Sequence, residues 1–173
     1  VTTQLILILA QLCVAEIGFP EDPPMVDECQ IMWVINDERA GRWRQQGRPE
    51  TTILEVTRLY NSFLKCAGRK CDTPRMKWVR DLDHAGIKPR GWPTNIQWRA
   101  PRHQGAWFYV LERAEHWLKN GRRWPRSCGT NCRRATQYGG EMDEPRACWT
   151  QVDCGARRQI YWAGGKCRKV ASR

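Results

Sequence analysis

Residues 5–14 read Leu-Ile-Leu-Ile-Leu-Ala-Gln-Leu-Cys-Val, apolar all round except at Gln11. A segment with no polar side cannot lie on a surface, so the rest of the chain must be wrapped around it. Its continuation to Ile17 fits a helix over residues 3–17, and such a helix belongs at the centre of the molecule. The run is too short to cross a bilayer, so no transmembrane segment is expected here. A secretory leader would share the apolar run, with residues 13–15 as a small-residue cleavage site. The preceding Val-Thr-Thr-Gln, however, lacks the Lys or Arg of a leader. We therefore read a buried helix.

That helix ends in Ala15-Glu16, and Gly18 breaks it. No Lys or Arg occurs before Arg39, so nothing nearby in sequence neutralises Glu16. A carboxyl held among apolar groups has its ionised form disfavoured and becomes a proton donor near neutrality. A glycosidase requires such a general acid, and Glu16 is the candidate. The plainer alternative is a structural glutamate reaching solvent past Gly18.

Helical signals continue along the chain. Asp22-Pro23-Pro24 supplies a cap and a proline start for a helix over residues 25–40, with Val26, Cys29, Met32 and Trp33 inward. Glu50-Thr-Thr52 opens a third, carrying Ile53, Val56, Tyr60, Phe63 and Leu64, with Gly68 as its stop. Asp72-Thr-Pro74 caps a shorter helix with Met76, Trp78 and Val79. Residues 82–104 lapse into Pro, Gly, Asn and His, a long loop anchored by Trp92 and Trp98. A clean stripe of Trp107, Val110, Leu111, Ala114, Trp117 and Leu118 follows, stopped by Gly121. Trp149, Val152, Ile160 and Trp162 predict a hairpin across the turn at residues 153–156. With no repeat or linker, residues 1–173 are read as one mainly helical α+β domain.

The formal charge of +11 asks for an anionic partner: nucleic acid, a lipid surface or an acidic polymer such as a bacterial envelope. Ten tryptophans are unusually many; some must build the core, but aromatic faces also stack on sugars and on bases. Nine cysteines leave at least one without an intrachain partner. Cys13 and Cys29 fall in apolar helices and read as small buried hydrophobes. Cys66 and Cys71 close a tight loop as a disulfide. Cys128-x3-Cys132 and Cys148-x5-Cys154 lack the C-x2-C spacing of zinc motifs, so disulfides in an oxidising compartment are preferred to a metal, and no cofactor is expected.

Three features occur in a telling order: the helix end Ala15-Glu16, the apolar helix Ile31-Met-Trp-Val-Ile-Asn36, and Tyr138-Gly139-Gly140 followed later by Tyr161-Trp162. Together they resemble the spore-cortex-lytic cell-wall hydrolases, which are similar to the lysozyme and lytic transglycosylase superfamily. The resemblance covers the first quarter and last third of the chain. It implies a lysozyme-like helical fold, an extracytoplasmic (periplasmic, secreted or phage-associated) protein acting on peptidoglycan, and Glu16 as general acid. It also implies a substrate-binding set of Tyr138, Gly139, Gly140, Asp143, Tyr161 and Trp162. The chain departs from the pattern at Gly18-Phe19 with the inserted Glu-Asp-Pro-Pro, at Asp37 in place of Arg, and at Gln137 in place of His.

A second carboxylate would be Asp22, Asp27, Glu28 or Asp143, each read first as a cap or a solvated charge. One acid suffices in lytic transglycosylases, where the substrate's own N-acetyl and hydroxyl groups do the remaining work. His84, His103 and His116 have no metal-ligand spacing, and His116 belongs on the polar edge of its helix. A cysteine–histidine peptidase would need a partly exposed thiol, with Cys66, Cys71 or Cys128 available by default. A non-enzymatic nucleic-acid binder would use Arg39, Arg42, Arg44 and Arg48, the run Arg122-Arg-Trp-Pro-Arg126, and Arg133-Arg134. That reading gives Glu16 no role and ranks second.

Overall fold

The computed structural model describes residues 2–18, 23–60, 79, 82, 101–139, 148–156 and 159–164. The apolar run forms α1 (Thr3–Ile17), with Leu9, Leu12, Cys13 and Val14 fully enclosed. Its one polar interior residue, Gln11, donates from Nε2 to the carbonyl of Leu82 at 2.9 Å, which answers the cost of burying an amide. Gly18 ends the helix at φ 81°, a conformation that side-chain-bearing residues resist, while its N–H donates to the Val14 carbonyl.

α2 (Pro23–Gln45) carries Val26, Cys29, Met32 and Trp33 inward as expected. The indole N–H of Trp33 donates to the Leu9 carbonyl at 3.0 Å, joining the two helices. Cys13 and Cys29 are not merely small apolar fillers. They pair as a disulfide between α1 and α2, because two buried helices in contact bring their Cα atoms to 5.0 Å. α2 also runs beyond residue 40. Gly41 costs about 1 kcal/mol against Ala in a helix, but Arg44 offsets it by donating from Nη1 to the Thr51 carbonyl at 2.9 Å.

α3 (Ile53–Tyr60) opens on Thr52, whose hydroxyl accepts the Glu55 N–H at 3.1 Å. Ile53 and Val56 face inward. Phe63, Leu64, the Gly68 stop, the Cys66 and Cys71 pair, and most of the helix and loop expected over residues 72–100 lie outside the described residues; Val79 and Leu82 are buried.

α4 (Pro101–Lys119) begins inside the stretch read as loop, since proline's fixed φ and missing N–H suit a first helical turn. Its expected stripe from Trp107 to Leu118 is buried, and α1 packs along it. Gly121 (φ 86°) closes it, with the Arg122 N–H reaching back to the Trp117 carbonyl at 3.1 Å.

A short 3₁₀ turn (Cys132–Arg134) leads into a three-stranded antiparallel sheet of β1 (Gln137–Gly139), β2 (Trp149–Val152) and β3 (Ile160–Gly164), ordered β1-β3-β2. The β2–β3 hairpin matches expectation. β1 was not expected: Gln137–Gly139 supply the second edge, although Tyr138-Gly139-Gly140 in sequence suggests a turn and not a strand. The register sets Tyr138 and Val152 opposite Tyr161 from either side. The described chain is thus a mixed α+β fold, four α-helices with one small sheet. No described helix is long and apolar enough to cross a membrane.

Candidate active site

Glu16 sits half-buried at the last turn of α1, where the apolar helix meets the segment leading into β3. Gln159, 6% exposed, donates from Nε2 both to the Glu16 backbone carbonyl (3.0 Å) and to its carboxylate Oε2 (3.1 Å). Because the Glu16 carbonyl can only accept, the NH2 end of Gln159 must face Glu16, which fixes the amide's orientation. The other end, Oε1, is enclosed without a hydrogen-bond partner. Buried acceptors are rarely left so, since the unmet desolvation costs about 1–3 kcal/mol.

Behind this pair lies Tyr161, fully enclosed, its hydroxyl donating to the Glu28 carbonyl at 3.0 Å. Burial holds its phenol well above the usual tyrosine range, and the charges of Glu28, Tyr138 and Glu16 push it the same way. These four residues therefore share one electrostatic neighbourhood. A hollow of about 310 Å³ opens beside it, lined by Gln151, Asp153, Ala156, Gln159 and Tyr161 among others. It is walled by the β2–β3 hairpin; neither α4 nor Gly139 lines it, and neither does Glu16 itself.

Tyr138 stands opposite Tyr161 on the adjacent strand and shares its face of the sheet. The Asn36 amide donates to its hydroxyl at 3.1 Å, and the Arg39 guanidinium lies 5.4 Å from its ring centre. Arg39 donates from Nη1 to Asn36 Oδ1 (3.0 Å), and from Nη2 to the Thr136 carbonyl (2.9 Å) and Gln137 Oε1. A buried strut between α2 and β1, Arg39 does not join an exposed phosphate-binding cluster. The reason lies in spacing: Asn36 and Arg39 are three apart and share the inward face of α2.

Trp162 parts company with Tyr161. Neighbours along a strand point to opposite faces, so the Trp162 side chain is buried on the other side of the sheet; its backbone carbonyl accepts the Thr136 N–H at 2.9 Å just ahead of β1. Gly139 is buried at the end of β1. Gly140, Asp143 and Asp22 lie outside the described residues. Of the remaining carboxylates, Asp27 accepts the Ser127 hydroxyl at 2.5 Å, and Glu28 is buried rather than a cap or solvated charge.

Cys128, Cys132 and Cys154 converge, their sulfurs all within 4.8 Å of one another. Cys132 is within disulfide reach of both neighbours, at Cα separations of 5.6 and 4.6 Å, and one sulfur makes one disulfide. No fourth ligand joins the three among the described residues, and Cys148, the expected partner in a C-x5-C half-site, is disulfide-bonded and not in the group. Cys128 is enclosed, not the partly exposed thiol that a peptidase requires. His116 is exposed on the polar edge of α4, as expected.

Gln159 and Arg39 escape sequence reading as site residues. Gln159 follows Arg157-Arg158 in a polar stretch without periodicity, and only the fold brings it to Glu16. Comparison of the chain with protein-family models, with curated proteins and with solved structures finds no match.

Proposed function

We propose that the protein cleaves the glycan strands of peptidoglycan, with Glu16 protonating the leaving glycosidic oxygen. The observation that carries this reading is a half-buried carboxylate at the end of an apolar helix, held by the amide of Gln159, whose side chain in turn lines a polar hollow. An acid so held has a defined direction in which to deliver its proton. Donation breaks the C1–O bond of the sugar as the electron pair leaves with the departing oxygen. The cation-like C1 is then captured by the substrate's own 6-hydroxyl or by water, whose proton passes to the Glu16 carboxylate and restores the acid. Capture by the 6-hydroxyl leaves an anhydro end and asks for no second protein carboxylate.

Two further features fit. Disulfide pairs form and persist outside the cytoplasm, where peptidoglycan lies. A formal charge of +11 favours adhesion to an anionic envelope.

Purified protein should clear a suspension of peptidoglycan. Glu16→Gln keeps the Gln159 contact but cannot give up a proton, so clearing should fall on the order of a hundredfold or more with the melting temperature unchanged. Mass analysis of the fragments distinguishes anhydro from reducing ends. Undiminished clearing by Glu16→Gln, or cut peptide stems with intact glycan, would overturn the proposal.

A further inference from the structure

Nine cysteines are an odd number, and each sulfur makes one disulfide. Among the described residues, an odd set collects in one place. Cys13 and Cys29 pair with each other, and Cys148 is disulfide-bonded without belonging to the group of Cys128, Cys132 and Cys154. Those three sulfurs lie within 4.8 Å of one another. Whichever two of them bond, the third is left over.

The fold decides which bonds are open to them. Cys132 has its Cα 5.6 Å from that of Cys128 and 4.6 Å from that of Cys154, both within the span of an ordinary disulfide. Backbone bonds hold the two turns that carry them. The Cys128 N–H donates to the Pro125 carbonyl at 3.1 Å, and the Ala135 N–H to the Cys132 carbonyl at 2.9 Å. On the hairpin side, the Gly155 N–H donates to Asp153 Oδ1 at 2.8 Å. Cys132 can therefore change partner without either turn having to move.

The three sulfurs differ in what can reach them. Cys128 and Cys132 are enclosed, whereas Cys154 is partly exposed. Cys154 lines the hollow of about 310 Å³ beside Gln159, and also a second one of about 490 Å³, with Ser127, Thr130, Asn131 and Asp153. Neither Cys128 nor Cys132 lines either of them. A small reagent from solvent meets Cys154 first.

We propose that Cys128, Cys132 and Cys154 form a thiol–disulfide exchange site, with Cys132 as the shared sulfur and Cys154 as the sulfur that takes a low-molecular-weight disulfide from outside. With Cys132 bonded to Cys128, the Cys154 thiolate has two targets. Attack on Cys132 forms the Cys154–Cys132 bond and breaks the Cys132–Cys128 bond. The electron pair leaves on the Cys128 sulfur, which takes up the proton that Cys154 gave off. Attack on an incoming R–S–S–R forms the mixed disulfide Cys154–S–R, and the pair leaves as R–S⁻. Both steps conserve the number of S–S bonds and need no further oxidant. The internal bond to Cys132 thus protects Cys154, and the bond to Cys128 exposes it. None of this depends on the role proposed for Glu16.

To test it, the chain folded in an oxidising medium is quenched in acid, unfolded in guanidinium, labelled there with N-ethylmaleimide and digested with trypsin. Acid protonates the thiolates and halts exchange, so the label records the pairing of the folded state. The Cys128–Cys132 bond closes residues 127–133 on themselves, whereas the Cys132–Cys154 bond joins them to residues 147–157. About one label per trio is expected, divided between Cys128 and Cys154 and absent from Cys132. Native chain incubated with hydroxyethyl disulfide should then gain one adduct in the trio, on Cys154. Cys128→Ser leaves Cys132–Cys154 as the standing bond and should lower that adduct at least about tenfold, although Cys128 lines neither hollow. Cys154→Ser keeps Cys128–Cys132 and should show neither label nor adduct in the trio. Each variant retains one disulfide of the trio, and the labelling of the unaltered chain needs no variant at all. Label confined to Cys128 or to Cys154 means a fixed pair, and label on Cys132 a different pairing. Label on all three means an uncrosslinked trio, as a soft metal ion would hold it. Each of these results overturns the proposal, and so does an undiminished adduct in Cys128→Ser.

Discussion

Gln159 does with one side chain what Glu16 cannot do alone. A carboxylate at a helix end swings about its own torsions; one bond from the Gln159 amide reaches its Oε2, and a second to the backbone carbonyl of Glu16 fixes the amide that makes it. Replacing Gln159 by Met keeps the volume, removes the N–H donated to ionised Glu16 and abolishes the orphaned Oε1. The ionised acid then loses a stabilising partner, so the alkaline fall-off of peptidoglycan clearing should move to higher pH. A purely structural role would lower the rate without moving that limb, and a pH–rate profile of Gln159→Met tells the two apart. Glu16 was legible in the sequence because an isolated acid stands out in an apolar run. Gln159 was not, because its importance arises from a contact 143 residues away, and one glutamine in a polar stretch looks like any other.

Among the elements, the turn after α4 shows how a loop can be as firmly held as a helix. Arg122 pairs with Asp37, the Arg123 carbonyl takes two donors, and Trp124 reaches Glu38 on α2. Burial holds the Glu38 carboxyl above its usual range; the Trp124 hydrogen bond and nearby Arg42 oppose that shift, and Asp37 adds to it. The folded state therefore keeps the Glu38 proton to higher pH than the unfolded chain does, and stability falls as pH rises from the usual carboxylate value through the raised one. Glu38→Gln retains an acceptor for Trp124 and removes the ionisation, so thermal melting across that pH window should lose this fall. The helices were readable at this scale: an unbroken apolar run marks α1, a proline start followed by inward-facing positions marks α2, and apolar spacing marks α4. β1 was hidden: three residues including a glycine carry no period, and only the edge of β3 makes them a strand.

Across the molecule, disulfides and hydrogen bonds among the described residues join parts of the chain that are distant in sequence. The Cys13–Cys29 disulfide ties α1 to α2 across a 16-residue separation, and replacing both by alanine should cost about 3 kcal/mol. For a chain of this length that is a fall of about 10 °C in melting temperature, measurable by calorimetry. Sequence suggested filler at these positions because a cysteine on a buried face looks apolar until its partner helix is in place. The sheet imposes a constraint of another kind, in time. β3 lies between β1 and β2 yet is made after both, so neither edge strand has a partner until residues 160–164 exist. Contacts this far apart in sequence form late and slowly. Glu16 is thus synthesised early but cannot be gripped until residue 159 has emerged, and a nascent chain carries the acid without the part that aims it. On the proposed reading, competence to cut the wall arrives only with the closing of the sheet, as the last step of folding and not the first.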